Sequence, residues 1–497
     1  FISGPHAEGI VSGSITTSAD NAFGMWARDK TSAVNTGEIV TKGTRSNGMA
    51  SDGPNSSATN RGSIVTSGAT SSGMWSAAGS IVTNEGSILT SGAGAHGMST
   101  QDESRALNWG TIVTHGVGAH GMHAVNKSFV GNFGDGVIET GGDGSHGMVA
   151  EDQSRAVNTG KVVTHGDNAF GMYALNNSFA GNFSSDTVKT LGAGSHGMVA
   201  SDDSRAINTG KVVTRGEDAF GMYAWHNSFV GNFGDGVVRT WGERSHGMVA
   251  SDNSRAVNTG RVATRNEGSY GMYALDNSFA GNFGDGVVRT WGKRSHGIVA
   301  EDHSRAVNTG KVVTTGNNAH GMLALKGSEV RNEGTIETSG KNARGMVARN
   351  QSKAFNLGDI ITMGENAQGM VARNNSRALN WGTIVTHGGG AHGMYAVNNS
   401  FVGNFSHDSI ETGGAGAHGM VADNSTAVNT GSVKTHGQGS FGMYALNNSF
   451  AGNFGGGTIE TGGVGSHGMV ADDSTVINTG SVKTHGQGSF GMYALNN

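Results

Sequence analysis

Ten histidines precede a Gly-Met pair, or in one case Gly297-Ile298, at a fixed offset: His96, His120, His146, His196, His246, His296, His320, His392, His418 and His467. Imidazoles brought together from successive repeats are the commonest ligands for transition metals. No carboxylate or thiol completes a set at fixed offset. The column therefore reads as turn residues, with no metal or cofactor. A milder role is a surface charge that appears below about pH 6.5. Acids and bases also recur together, as Asp152 with Arg155, Asp202 with Arg205, Asp252 with Arg255 and Asp302 with Arg305. Carboxylate catalysis needs two acids at one special place, whereas these repeat along the chain and read as local surface ion pairs. No Ser-His-Asp set, nucleotide loop or calcium nonapeptide is present, so the reading is non-enzymatic. Aromatic residues form outward rows at Tyr173, Tyr223 and Tyr273, with Trp241 and Trp291 nearby. Exposed aromatic rows mark contact surfaces for glycans or proteins.

What positions these residues is a repeat. Gly-Met returns about every 24 residues, from Gly24-Met25 to Gly491-Met492, in 20 copies if Gly297-Ile298 is counted. A period of this size means a stack of small units, each touching its neighbours. Within a unit three segments alternate with period two, as in Met148-x-Ala150, Ala156-x-Asn158 and Val162-x-Thr164. That is the pattern of short strands. Three strands per 24 residues, separated by glycine turns, predict an all-β fold. It is a parallel β-helix of about 20 coils, read as one continuous array over residues 1–497.

The tolerance of each column says which side is inside. The residue two before the Thr column is aliphatic (Ile39, Ile112, Val162), whereas the next accepts Val40, Glu139 and Lys189. A buried unpaired charge is costly, so the tolerant position faces solvent. The predicted interior is Met, Ala, Ala/Val, Asn, Ile/Val and Thr. It includes Met148, Met172, Met198, Thr164, Thr190 and Thr214. The residue after Gly-Met varies from Trp26 to Val149 and reads as surface. Asn35, Asn108, Asn158, Asn208, Asn258 and Asn308 belong to a column whose amides can hydrogen-bond along the stack. Asparagine also suits a left-handed corner. Between 147 and 296 the true period is 50, a 24-residue coil followed by a 26-residue coil carrying Ser-Phe-[Ala/Val]-Gly-Asn-Phe.

Composition excludes other classes. The net charge is −5 and no Lys/Arg run exists, so nucleic acid is not the partner. No stretch of 18 apolar residues is present to span a membrane. The chain begins and ends inside the repeat, as a segment of a longer protein would. Cysteine is absent.

The run A-x-N-x-G-x-I-x-T-x-G-x-x-A-x-G-M-x-A, seen from Ala106 to Ala124 and in variant form from Ala33 to Ala50, resembles repeats in passenger domains of bacterial autotransporters. The resemblance covers essentially the whole chain. It implies a right-handed β-helix exported through the outer membrane, acting at the bacterial surface as an adhesin or fibre. The function expected is an extracellular stalk or filament mediating adhesion or cell contact. Its partners would be its own copies, or glycans and proteins of a host or neighbouring cell. The alternative is a polysaccharide-binding or polysaccharide-cleaving β-helix like pectate lyases or phage tailspikes. That would show a local break with clustered acids or aromatics, and the irregular stretches 1–20 and 50–80 carry none. An ice-binding face would need outward threonines, whereas the Thr column points inward.

Overall fold

The computed structural model describes residues 2, 6–183, 187–405 and 409–496. Among them are 60 strands of three or four residues and no helix. They form a parallel β-solenoid of about 20 turns with three sheets. Contacts group the chain into two units, Phe1–Met248 and Val249–Asn497, and the same three-sided coil recurs within each.

One coil of the first unit comprises Met148–Glu151, Arg155–Asn158 and Lys161–Thr164. Each strand pairs in parallel with its copy one coil on: Met148 with Met172, Asn158 with Asn182, Thr164 with Thr190. In the second unit Met346, Asn356 and Thr362 pair likewise with Met370, Asn380 and Thr386. The three faces are called here the Met, Asn and Thr sheets. Parallel neighbours require a long crossover, and the other two sides of the coil provide it. The 26-residue coils keep this register because their two extra residues lie outside the strands. Asn132 ends one strand and Val137 begins the next, against Asn158 and Lys161 in the shorter coil.

The interior is narrow and uniform. Met148, Ala150, Ala156, Asn158, Val162 and Thr164 are all fully buried, as are their copies in the interior coils of each unit; in the last coil Met492 is 49% exposed. Burying each Met and Val contributes roughly 1.5–3 kcal/mol.

Three expectations are corrected. The residue after Gly-Met is not simply surface, since Val149, Val199, Val347 and Val371 are 0–3% exposed. Aromatic and histidine side chains from the flanking corner cover the outer face of the Met sheet, giving it a second apolar layer. In the second unit Val299, Leu323, Val347 and Val371 form such a cluster, against which Tyr270, Tyr273 and Tyr395 pack. Second, the Asn column is not left-handed. Its residues end extended strands, which is what directs their amides inward. The left-handed positions lie in the corner before the Asn strand, in consecutive pairs such as Asp152 (φ 52°) and Gln153 (φ 61°). A second left-handed position, Gly144 or Asn168, precedes Gly-Met. Asn, Asp and Gly tolerate this conformation best.

Third, the glycine of Gly-Met, read as a turn glycine, is not there for its backbone freedom, since Gly147 has no positive φ. A Cβ on Gly147 would overlap Val162 Cγ1 and lie 2.5 Å from the carbonyl oxygen of Gly171 in the next coil. The column is glycine because two coils and the opposite wall converge there.

Candidate functional surface

The strongest internal chemistry is a set of polar ladders. Each amide of the Asn column donates to the next coil, at 2.8 Å for Asn35 to Asn60, 2.7 Å for Asn108 to Asn132 and 2.8 Å for Asn158 to Asn182. The same ladder runs through Asn208, and in the second unit through Asn258 and Asn308. The second amide hydrogen caps a turn carbonyl, as from Asn158 to Gly160 at 2.7 Å. The inward threonines staple the next corner: Thr164 Oγ1 donates to Ala169 O at 2.7 Å, Thr190 to Ser195 O at 2.5 Å and Thr214 to Ala219 O at 2.8 Å. Met148, Met172 and Met198 fill the space between. These groups are fully enclosed and satisfied, which is the state in which buried polar networks rigidify a core.

Sequence reasoning missed a further ladder. The serine before each Asn strand accepts from the backbone of the preceding coil: Ser128 N to Ser154 Oγ at 3.0 Å, Ser154 N to Ser178 Oγ at 3.0 Å, Ser178 N to Ser204 Oγ at 2.9 Å. The constant serine was visible as a letter, but its partner lies a coil away. The Ser-Phe-x-Gly-Asn-Phe motif works within one coil instead. Phe179 and Phe183 lie near-parallel at 6.2 Å, and their rings occupy the space a side chain on Gly181 would need.

The histidines before Gly-Met form a stack. His96, His120 and His146 lie nearly parallel, with centroids 4.9 and 4.8 Å apart, and Phe170 continues the column at 4.6 Å. Each Nδ1 accepts a backbone N–H from the next coil, at 3.0 Å from His120 to His96 and 2.9 Å from Phe170 to His146. The ladder commits Nδ1 and fixes the neutral tautomer with the proton on Nε2. Among the described residues no three His, Cys, Asp or Glu are placed to hold a metal ion.

The expected surface charge below pH 6.5 is corrected by this burial. Desolvation holds His146, His196, His246 and His392 down at about 4, and His96, His296 and His418 at about 3. The unfolded chain therefore binds protons first. The stability that the neutral rings contribute is full above pH 6.5 and is lost as pH falls toward 4. The slope is about 1.4 kcal/mol per pH unit for each histidine. Thermal unfolding followed by circular dichroism should show the midpoint falling between pH 6.5 and 4.5, and a flat profile would refute the assignment. The histidines that follow the Thr column are different: His165 and His436 are exposed and pair with Glu139 at 2.8 Å and Glu411 at 3.0 Å.

The acid–base pairs of the corner loops are also corrected, because the partners belong to neighbouring coils. Asp152 accepts from Asn176 Nδ2 at 2.9 Å, and Asp202 meets His226 Nδ1 at 3.0 Å. Arg155 and Arg255 lie over the rings of Phe179 and Phe279, each at 5.4 Å. Arginine favours an aromatic face because the ring's quadrupole attracts the cation.

The aromatic rows are partly enclosed. Tyr173 stands edge-on to Phe170 at 5.4 Å with its hydroxyl 3.2 Å from Ser201 Oγ. Tyr223 stands edge-on to Phe220 at 5.4 Å. Tyr273 donates to Glu301 at 2.7 Å, and burial together with that carboxylate raises its hydroxyl well above the usual range. Trp241 and Trp291 are more open, at 37% and 38% exposure, and Arg265 lies 5.4 Å over the Trp291 ring.

Three parallel sheets of short strands, closed around polar ladders and faced with aromatic and charged rows, define a β-solenoid. A sequence model described as the BigA third pectate lyase-like domain matches residues 7–95, 86–234, 168–289, 280–405 and 393–497. The chain belongs to that family. Comparison with curated proteins finds no match. The cryo-EM structure of the Vag8–C1 inhibitor complex is similar over 99% of this chain and 100% of that chain, at 16% identity and a TM-score of 0.42.

Proposed function

We propose that residues 1–497 act as one repeat array, a non-enzymatic extracellular scaffold of the autotransporter-passenger kind. It presents a long repetitive surface for adhesion or cell contact at the bacterial surface. One observation carries the reading: inward columns and ladders recur in coil after coil within each unit, so the chemistry is spent on holding the stack. Contacts would then come from the outer rows, including Tyr173, Tyr223, Tyr273, Trp241 and Trp291, toward glycans or proteins of another cell or toward further copies of the chain. The second reading, binding or cleavage of a polysaccharide, draws on the pectate lyase-like description of the family.

Coil deletion separates the two. Removing Ser145–Gly194 joins Gly144 to Ser195 and restores the same Ser-His-Gly-Met sequence at the seam. A scaffold should keep its circular dichroism per residue and bind cells at a level reduced in proportion to the surface lost. Release of new reducing or unsaturated ends from polygalacturonate by the intact chain would overturn the non-enzymatic reading.

A further inference from the structure

One stretch of the second unit reverses the charge pattern of its neighbours. On the outer face of the Met sheet, a tyrosine commonly reaches an acid across the coil boundary. Tyr273 meets Glu301 at 2.7 Å, and Tyr395 meets Asp423 at 3.1 Å. Between those places the tyrosine is replaced by Val347 and Val371, and the acid by Arg349 and Arg373. Arg349 and Arg373 are direct partners in adjacent strands. Arg344, from the corner that precedes Met346, approaches from the other flank and donates Nε to Gln368 Oε1 at 2.6 Å. Valines stand there where other coils carry a ring, and three guanidiniums gather around them.

The cluster is electrostatically unfinished. Among the described residues none of the three arginines forms an ion pair. The Nε atoms of Arg349 and Arg373 are enclosed without a hydrogen-bond partner. Burial, then the charges of Arg373 and Arg349, pull Arg344 down to about 10, and burial and Arg373 lower Arg349. The neighbouring groups give little compensation: Tyr395 favours the charged Arg344 only as the last and smallest influence on it, and its hydroxyl is given to Asp423. His320 is held neutral by burial, and Glu365 in the nearest corner is taken by Lys341 at 2.9 Å. Like cations at this spacing repel, and an enclosed donor without a partner is costly. Both costs are relieved by an oxoanion, whose flat or tetrahedral oxygens suit guanidinium forks.

The surroundings point to the kind of molecule that carries the anion. A groove of about 410 Å³ opens at the corner that follows Arg349 and Arg373, lined by Asn350, Gln351, Asn374, Asn375, Lys326 and His303. Its amides offer donors and acceptors together, the complement of sugar hydroxyls rather than of lipid chains or stacked bases. We propose that Arg344, Arg349 and Arg373 form a subsite for the sulfate or carboxylate group of an acidic polysaccharide whose chain lies along the adjacent amide-lined groove. This supplies a defined ligand for the contact function proposed above and rests on that extracellular reading.

The test uses the full chain on a biosensor with immobilised heparin, alginate and neutral dextran, at several salt concentrations. Binding to heparin or alginate should exceed binding to dextran and weaken as salt rises. Whichever polymer binds tighter identifies sulfate or carboxylate as the group held. The variant Arg349→Gln/Arg373→Gln should lose about tenfold or more of that affinity per guanidinium removed. Arg239→Gln, exposed on the other unit, should change it less than twofold. Unchanged circular dichroism certifies that the variants are folded, and Arg344→Gln alone gives a milder second variant. Equal binding to all three polymers, or equal loss in the Arg239 control, overturns the subsite. Tighter binding to vesicles of anionic phospholipid than to either polysaccharide overturns the glycan assignment. Loss of heparin and alginate binding with intact attachment to cells would sink the subsite's part in contact while leaving the scaffold reading standing.

Discussion

Asn158→Ala is expected to destabilise the surrounding coils by about 3–5 kcal/mol, and hydrogen exchange will show where. The substitution removes one rung from the middle of a fully buried ladder. Asn182 Oδ1 loses its donor, Gly160 O loses its cap, and one amide hydrogen of Asn132 loses its acceptor at 2.8 Å. Each buried orphan costs roughly 1–3 kcal/mol, and the space vacated by the amide adds to it. The loss is local because each coil touches only its neighbours. Peptides covering 129–182 should therefore exchange roughly a hundredfold faster or more, while distant coils of the same unit keep their protection. Unaltered exchange in those peptides would show that the ladder contributes nothing net.

Gly147→Ala is expected to cost at least as much, about 3 kcal/mol or more, because overpacking here meets backbone rather than a yielding side chain. The added methyl would overlap Val162 Cγ1 and press against Gly171 O, which itself accepts the amide of Met148 at 3.0 Å. Relief would mean spreading two coils, and with them the parallel pairing of the Met sheet. Gly144→Asn is the companion experiment. Gly144 has φ 63°, and a Cβ added there would meet no atom within 4 Å. Asn168 holds the equivalent place one coil later at φ 52°. Asparagine accepts that conformation, so this change should lie within about 0.5 kcal/mol of the parent. Chemical denaturation of both variants decides it. If the two glycines respond alike, the steric account of Gly-Met fails.

These two glycines, three residues apart, show how far sequence reasoning reaches. Both are turn glycines by composition. Only the structure separates one demanded by backbone dihedrals from one demanded by close approach, because the atoms that crowd Gly147 belong to residues 15 and 24 positions away. The Asn column shows the converse. Its inward direction and stacking partner followed from period-two alternation and a constant spacing. Its backbone conformation did not, because asparagine suits both a left-handed corner and a buried ladder. The serine ladder and the histidine stack were present as columns of letters. Their chemistry depends on an N–H of the adjacent coil, which no single repeat contains.

The sequence by itself determined the solenoid: a repeated pattern of tolerance and intolerance names the buried face of each strand, and a constant period leaves parallel stacking as the way to satisfy it. Tertiary structure alone decided what the outer surface is. It turned the column after Gly-Met into a second apolar layer, sent Arg155 to Phe179 rather than Asp152, kept the stacked imidazoles neutral, and gathered three arginines over two valines. The reason is physical. Burial along a strand is a local property with a period of two residues, whereas packing on the outer face is set between coils by side chains about 24 residues apart. Their lengths and charges vary from repeat to repeat without disturbing the core.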